Sequence, residues 1–175
     1  VTNAYGLSRR IGAEIQYATP SITATGTWFT REINAHQRVG DGWGTRLTWA
    51  PIQDTQTGEA LHFGLSAVQL DAENNRYSLS SRPQADITNV NTVTATLTDA
   101  DKTRIVGVEG MYYRGPFKVM GEYFRADTDR LGAAPDYSTD GWYVSTLYTL
   151  SDDLFGYRGG LYTTATPTDP VRGLW

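Results

Sequence analysis

The 175-residue sequence contains no cysteine, which excludes a disulfide framework, a thiolate metal site and a cysteine nucleophile. It also lacks any run of roughly 18 to 20 apolar residues, the length that a membrane-spanning helix needs. Basic residues are in deficit, because 15 Lys and Arg stand against 19 Asp and Glu, and this balance disfavours nucleic acid as a partner. A role in a bilayer would therefore require a barrel of strands.

Histidine is scarce, with two residues in the chain. A hydrolase triad can be drawn from His62, Ser66 and Asp71, but no nucleophile-elbow sequence surrounds the serine, and a lumen-lining histidine is the better interpretation. The two histidines lie far apart in sequence, and the acidic segments follow no recognised metal-binding pattern. We therefore expect neither an enzyme nor a bound metal or other cofactor.

What the chain does contain is an apolar and polar alternation with a period of two, rich in Tyr, Trp, Thr and Gly. Such alternation predicts antiparallel β-strands with one apolar and one polar face. About seven segments show it, at 10–18, 22–31, 43–49, 61–67, 104–113, 117–123 and 141–150.

The connections between these segments are alternately short and long, as in outer-membrane barrels. The stretch 71–102 predicts a long polar loop, for which two interpretations stay open: a solvated external loop, or a loop that folds inward and narrows a lumen. The connection 151–170 is an exception to the alternation, because a short turn is expected there.

The polar face of the predicted strands carries repeated charge, which favours a water-filled lumen with lipid on the other face. Aromatic residues near the strand ends are typical of membrane interfaces. A soluble secreted β-sandwich or barrel that binds a ligand such as a carbohydrate on exposed aromatics is the alternative. The charged positions on the polar face are Arg10, Glu14, Arg46, Glu109, Lys118 and Glu122.

Six short strings, in order along nearly the whole chain, resemble the phosphate-selective porins of the O and P type. YRGPFKVMGEYFRA at 113–126, with its GPF and GEY, is the most specific of them. The others are RIGAEIQY at 10–17, RLTWAPI at 46–52, LHFGLS at 61–66, SRPQA at 81–85 and GWYVSTLYTL at 141–150.

This resemblance implies an all-β, antiparallel transmembrane β-barrel in the Gram-negative outer membrane. The family's barrels have sixteen strands and are usually trimers, so we expect residues 1–175 to be a single-domain, internal fragment of such a barrel and the whole to be a homotrimer in contact with outer-membrane lipid. The implied function is passive diffusion of phosphate, polyphosphate or similar small anions.

Arginine and lysine on the lumen wall are the candidates for the anion pathway, since a channel needs fixed positive groups rather than a catalyst. Alternation places Arg10, Arg46 and Lys118 there, with Arg104 a candidate at a strand end and Arg82 a candidate in the long loop. Each strand candidate has an alternative role as half of an ion pair with Glu14, Glu109 or Glu122. The alternative role of Arg82 is to anchor the loop to the wall.

Overall fold

The computed structural model describes residues 5–6, 9–32, 40–54, 56–81, 90–150 and 154–163. These residues form antiparallel strands, which confirms the all-β antiparallel prediction. One 3-10 turn, Glu73–Asn75, interrupts them. The strands are β1 (Arg10–Ala18), β2 (Ile22–Glu32), β3 (Gly42–Asp54), β4 (Glu59–Asp71), β5 (Tyr77–Ser81), β6 (Val93–Leu97), β7 (Ala100–Arg114), β8 (Phe117–Arg130), β9 (Tyr137–Tyr148), β10 (Gly156–Arg158) and β11 (Leu161–Thr163).

Seven of these strands form one open sheet, the main sheet, in the order β1-β2-β3-β4-β7-β8-β9. Every neighbouring pair is antiparallel, and β1 and β9 lie at the two edges. The strands are 9 to 15 residues long, which suits tilted strands that cross a bilayer with about 9–11 residues. No helix in the described part of the chain is long and apolar enough to cross a membrane.

The turns at one end of the main sheet are short, and two of them depend on glycine. Gly58 and Gly115 have φ of 59° and 54°, a backbone conformation that side chains with a Cβ rarely adopt. The connections at the opposite end are longer, the longest being 72–99. In outer-membrane barrels the short turns face the periplasm and the long loops face outward.

One face of the main sheet, the outer face, is apolar and exposed. Ile15 is 78% exposed and Trp142 is 67% exposed, values that belong to a surface rather than to a core. No described element covers this face. Its exposed apolar residues are Ile11, Ile15, Tyr17, Ile22, Trp28, Trp43, Leu47, Trp49, Phe63, Leu65, Val106, Val108, Phe117, Tyr123, Trp142, Val144 and Tyr148.

The opposite face, the inner face, is covered in two places by short hairpins that sequence periodicity did not predict. The loop hairpin (β5 and β6) lies within the long stretch 71–102, and the inner hairpin (β10 and β11) lies within 151–170. The strands of these hairpins are three to five residues long, which is too short for a period-of-two alternation to be recognised in the sequence. The described part of the long loop therefore folds over the inner face. This agrees with the interpretation of an inward-folding loop and not with that of a solvated external loop.

The loop hairpin covers the inner face near the long-loop end through an apolar cluster. Tyr77 and Leu79 of β5 pack with Leu70 of β4, and the ring of Tyr5 stacks on Phe124 at a centroid distance of 5.5 Å. Burial raises the pKa of the Tyr77 phenol to about 12. Burial of these apolar side chains attaches the loop hairpin to the main sheet.

Four strands of the main sheet, β4, β7, β8 and β9, extend well beyond their predicted ends at the long-loop side. β7 begins at Ala100 instead of 104, and β8 continues to Arg130 instead of ending at 123. Backbone pairing continues there while the outward side chains become polar, as at Arg104, Arg125 and Asp127. Hydrophobic alternation thus marks the apolar band and not the full strand.

Candidate functional site

Three polar side chains meet on the inner face beneath the inner hairpin, and we call them the polar cluster: Arg46 of β3, His62 of β4 and Glu109 of β7. The glycine at position 64, opposite Glu109 in the β4–β7 ladder, permits the contact. A Cβ at Gly64 would collide with the Glu109 carboxylate, so the missing side chain lets Glu109 lie across β4 and reach β3. Backbone pairing alone would have left one strand between Arg46 and Glu109.

Glu109 is the acceptor at the centre of this cluster. One of its oxygens, Oε1, pairs with Nη2 of Arg46 and also lies 2.8 Å from Nε2 of His62. The His62 residue is 4% exposed, whereas the side chain of Arg46 is 34% exposed. The cluster therefore has a buried side at His62 and an accessible side at Arg46.

The inner hairpin is fastened to the wall by the same residues. The hydroxyl of Tyr157 lies 2.6 Å from Nδ1 of His62, and Arg46 Nη2 donates to the carbonyl of Gly160 at 3.3 Å. Gly160 has φ of 81°, and a Cβ there would approach the Thr48 hydroxyl to 2.7 Å. A residue larger than glycine at this turn would push the hairpin away from the wall.

A second cation, Lys118 of β8, lies beneath the inner hairpin. Its ammonium is 4.8 Å from the ring centroid of Phe155 and 4.1 Å from that of Tyr162, distances at which cation–π attraction operates. The residue is 8% exposed. Within the described ranges, no carboxylate lies at ion-pair distance from it, so its charge is balanced by aromatic faces.

An open cavity of about 240 Å³ adjoins the polar cluster. Arg46 and Glu109 are among the residues that form its wall, together with Met120, Glu122 and Tyr162. The cavity lies between the main sheet and the inner hairpin, and its lining combines charged, apolar and aromatic residues.

Of the five residues that the sequence singled out for the anion pathway, two lie at this place. Arg46 and Lys118 both lie on the inner face beneath the inner hairpin. Arg10 lies near the long-loop end, where it donates to the carbonyl of Gly40 at 3.0 Å and lies over the ring of Phe29 at 5.1 Å. Arg82 lies outside the described residues.

The fifth candidate, Arg104, does not face the lumen side. It shares the outer face with Val106 and Val108, because residues two apart in a strand point the same way, and it pairs with Asp129 at 2.9 Å. The sequence offered Arg104 as a pathway candidate at a strand end, but β7 continues past it to Ala100, with a register irregularity between Ala100 and Lys102, and this pairing keeps Arg104 on the outer face.

The three residues of the possible hydrolase triad, His62, Ser66 and Asp71, do not contact one another. His62 contacts Glu109 and Tyr157, while the Ser66 hydroxyl donates to the carbonyl of Gly107 and Asp71 pairs with Lys102. Across the residues that the structure describes, no three His, Asp or Glu side chains form a group that could hold a metal ion.

Sequence reasoning missed the hairpin aromatics that complete the site, Phe155, Tyr157 and Tyr162. Each contacts a wall residue distant in sequence; Tyr157 and His62 are 95 positions apart. A local signal was present, because Gly159 and Gly160 stand between two short β-prone segments, and adjacent glycines are typical of a two-residue hairpin turn.

Comparison with known proteins agrees with this geometry. The profile of the family described as phosphate-selective porin O and P matches residues 1–175. An uncharacterised protein of Caulobacter vibrioides is 26% identical over 190 residues, an alignment that covers 98% of this chain and 37% of the relative. The chain thus spans little more than a third of the length of that curated relative. By the match to its whole length, the chain belongs to the phosphate-selective porin O and P family.

Proposed function

We propose that this chain forms part of the wall of a longer porin, through which phosphate and similar small anions diffuse passively across the Gram-negative outer membrane. The observation that carries the proposal is the difference between the two faces of the main sheet. An exposed apolar face without a covering layer suits lipid, and an opposite face with charged and hydroxyl groups suits water. Family membership makes a channel the natural role of such a wall.

The cations of the inner face supply the preference for anions in this proposal. Arg46 offers a planar set of donors that suits the oxygens of phosphate, and Lys118 offers a compact charge beneath the same hairpin. No carboxylate of the described residues lies at ion-pair distance from Lys118, so its positive charge is offset by the ring faces of Phe155 and Tyr162 and not by a negative charge. Arg82 is a further proposed member of the anion pathway, and Arg82→Ala should weaken block of the chloride current by phosphate.

The soluble sandwich is the less suitable alternative. In a sandwich the aliphatic face would be buried against a second sheet. Here Leu47, Leu65 and Val144 lie open, and the two hairpins cover the other face. An open apolar face of this size would cause a soluble protein to aggregate. We further propose, from the family alone, that the complete barrel assembles as a homotrimer.

The test is single-channel recording of the full-length porin in planar bilayers, with chloride current measured while phosphate is added. We expect block of the chloride current by phosphate. Lys118→Ala should weaken this block, and Arg104→Ala, which changes an outer-face arginine, serves as the matched control and should leave it unchanged. Well-folded protein without channel activity would refute the proposal, and channels indifferent to phosphate would reduce it to a general pore.

A further inference from the structure

We infer that the outer face of the main sheet, at its long-loop end, is a docking surface for the head group of a phosphorylated glycolipid in the outward leaflet. The surface is built on the extended ends of β7, β8 and β9, and we call its residues the charged belt. The inference depends on the position of the chain in the membrane and not on conduction through the pore. The charged belt consists of Lys102, Arg104, Arg125, Asp127, Asp129, Ser138 and Asp140.

The charged belt begins directly above the apolar band of the outer face. Tyr123 and Trp142 are cross-strand partners at the edge of that band, and amphipathic rings of this kind lie at the membrane interface. Two residues further along the same strands, and therefore on the same face, Arg125 and Asp140 form the next pair of the ladder. The belt therefore starts at the level of the lipid head groups.

The belt is deeper than the head-group layer of a simple phospholipid. The part of β8 from Tyr123 to Asp129 spans about 20 Å of strand, which is roughly 14 Å of height at a tilt of about 45°. Phospholipid head groups add only about 5–8 Å on each side of the hydrocarbon core. A head group that follows the whole belt must be longer than a phosphate ester, and sugar rings supply that length.

The short-turn end of the same three strands carries no equivalent belt within the described ranges. There β7 ends at Arg114 and β8 begins at Phe117, so regular pairing stops at the edge of the apolar band. The charge at that end is a single loose pair, Arg114 with Glu59 at 3.8 Å. The two ends of the wall thus suit different polar layers, and the long-loop end suits the thicker one.

The side chains of the belt offer donors for phosphate and donor–acceptor pairs for sugar hydroxyls. Arg104 pairs with Asp129 at 2.9 Å and Arg125 with Asp127 at 3.1 Å, and both arginine side chains are more than half exposed. Among the described residues, Arg104 donates through Nη1 and Nη2 and Arg125 through Nε and Nη2, so each keeps further N–H groups for a ligand. Guanidinium donors bind phosphate oxygens, and a carboxylate beside a guanidinium presents an acceptor and a donor to neighbouring hydroxyls.

A shallow cavity on the outer face continues the surface below the belt. Its volume is about 280 Å³, and its lining includes Val108, Tyr123, Trp142 and Val144. An acyl chain attached to a head group on the belt can lie in this apolar cavity, so one amphipathic molecule fits both parts of the surface. A soluble sugar would contact the belt alone.

The test measures binding of an acylated, bisphosphorylated disaccharide to the full-length porin in detergent by native mass spectrometry. The double variant Arg104→Gln with Arg125→Gln is compared with Arg114→Gln, which changes an outer-face arginine at the short-turn end and is the matched control. We expect the double variant to bind the glycolipid about thirtyfold more weakly, since each basic residue near a lipid surface contributes about fivefold. The control should bind it as the unmodified porin does.

Unchanged affinity in the double variant, or an equal loss in Arg114→Gln, would overturn the inference. Equally tight binding of phosphatidylglycerol, which carries phosphate without a sugar, would also overturn it. If the double variant does not fold, Asp140→Asn tests the surface in the opposite direction, because it removes an exposed carboxylate opposite Arg125 and should tighten binding. Unchanged or weaker binding by Asp140→Asn would contradict the inference.

Channel recordings keep this inference separate from the proposed function. In planar bilayers the double variant should retain the conductance of the unmodified porin and its block by phosphate, because the belt lies on the outer face. A loss of phosphate block in the double variant would place these arginines in the anion pathway and contradict the docking role. A porin that binds the glycolipid but forms no channel would refute the proposed function and leave the docking surface standing.

Discussion

Val144 and Ser145 are neighbours in β9, yet they belong to two different surfaces. Val144 is 66% exposed on the outer face, in an apolar band with Trp142 and Tyr148, and nothing described packs on it. Ser145 points to the inner face, where other residues meet hairpins, ion pairs and hydroxyl groups. The outer face needs only apolar side chains at the right depth, whereas the inner face needs specific partners.

That difference has an energetic consequence. Residues in the apolar band of the outer face contribute by transfer from water to lipid, so any apolar side chain serves there and any charge is costly. Residues of the inner face contribute through hydrogen bonds and packing with named partners, so removal of one partner leaves the other unsatisfied. A new charge should therefore be most costly on the outer face, and the loss of a hydrogen-bond partner should be most costly on the inner face.

The largest effect is expected from a charge placed on the outer face. Val144→Arg should destabilise the barrel by about 2–4 kcal/mol, because an arginine near the middle of the bilayer lacks water. Ser145→Arg, one residue away on the inner face, should cost less than about 0.5 kcal/mol. Unfolding of the full-length porin by urea in lipid vesicles measures both, and equal losses would abolish the distinction between the faces.

A smaller effect is expected where an inner-face hydrogen bond is broken. The hydroxyls of Thr103 and Thr128 lie 3.0 Å apart, and both residues are fully buried. Thr103→Val should cost about 1–3 kcal/mol, because the Thr128 hydroxyl loses its partner.

Two further variants sharpen this second prediction. The double change of Thr103 and Thr128 to Val should cost less than the sum of the single changes, since no unsatisfied hydroxyl is left. Thr146→Val on the outer face is the control and should not destabilise the protein. If Thr146→Val lowered the free energy of unfolding as much as Thr103→Val does, the two faces would not differ in their need for hydrogen-bond partners.

The inner hairpin offers a third, smaller effect. Tyr157→Phe removes the contact to His62 and should cost about 1 kcal/mol, the usual net value of one hydrogen bond. Tyr162→Phe keeps the ring that lies over Lys118 and should cost less. Urea unfolding compares the two variants, and a larger loss for Tyr162→Phe would contradict the anchoring role of Tyr157.

The smallest effect is expected at the long-loop end, from Asp99. A hydrogen bond from Arg130 lowers the pKa of the Asp99 carboxyl below its ordinary value of 3.8. A lowered folded-state pKa gives stability that is present above the ordinary pKa and lost as the pH falls through the folded one. Asp99→Asn should therefore be slightly less stable near neutral pH, and the difference should vanish in acid. Urea unfolding across this pH range checks it, and a difference that persists in acid would exclude the ion pair as its cause.

The main sheet could be predicted from sequence because one face meets a uniform environment. Lipid accepts any apolar residue, so alternation alone marks β1 at Arg10–Ala18 and the centres of the other wall strands. The strand ends beyond the apolar band were missed, as at Ala100 of β7, because pairing there continues without hydrophobic alternation.

The candidate site could be predicted only in part. Arg46 and Lys118 follow from alternation, since their side chains oppose the apolar face. Their partners do not follow, because Glu109 reaches Arg46 only through the space left by Gly64, and Tyr162 reaches Lys118 only through a hairpin. Such contacts depend on tertiary packing between distant segments, which a period of two in the sequence does not encode.

The most direct test of the two-faced wall uses single cysteines, which the absence of native cysteine makes straightforward. Each residue from 142 to 147 of β9 is changed to cysteine in turn in the full-length porin, and the protein in lipid vesicles is treated with a charged, water-soluble thiol reagent. We predict labelling at 143, 145 and 147 and protection at 142, 144 and 146. Labelling without this alternation, or protection at the odd positions instead, would contradict a wall with lipid on its outer face and water on its inner face.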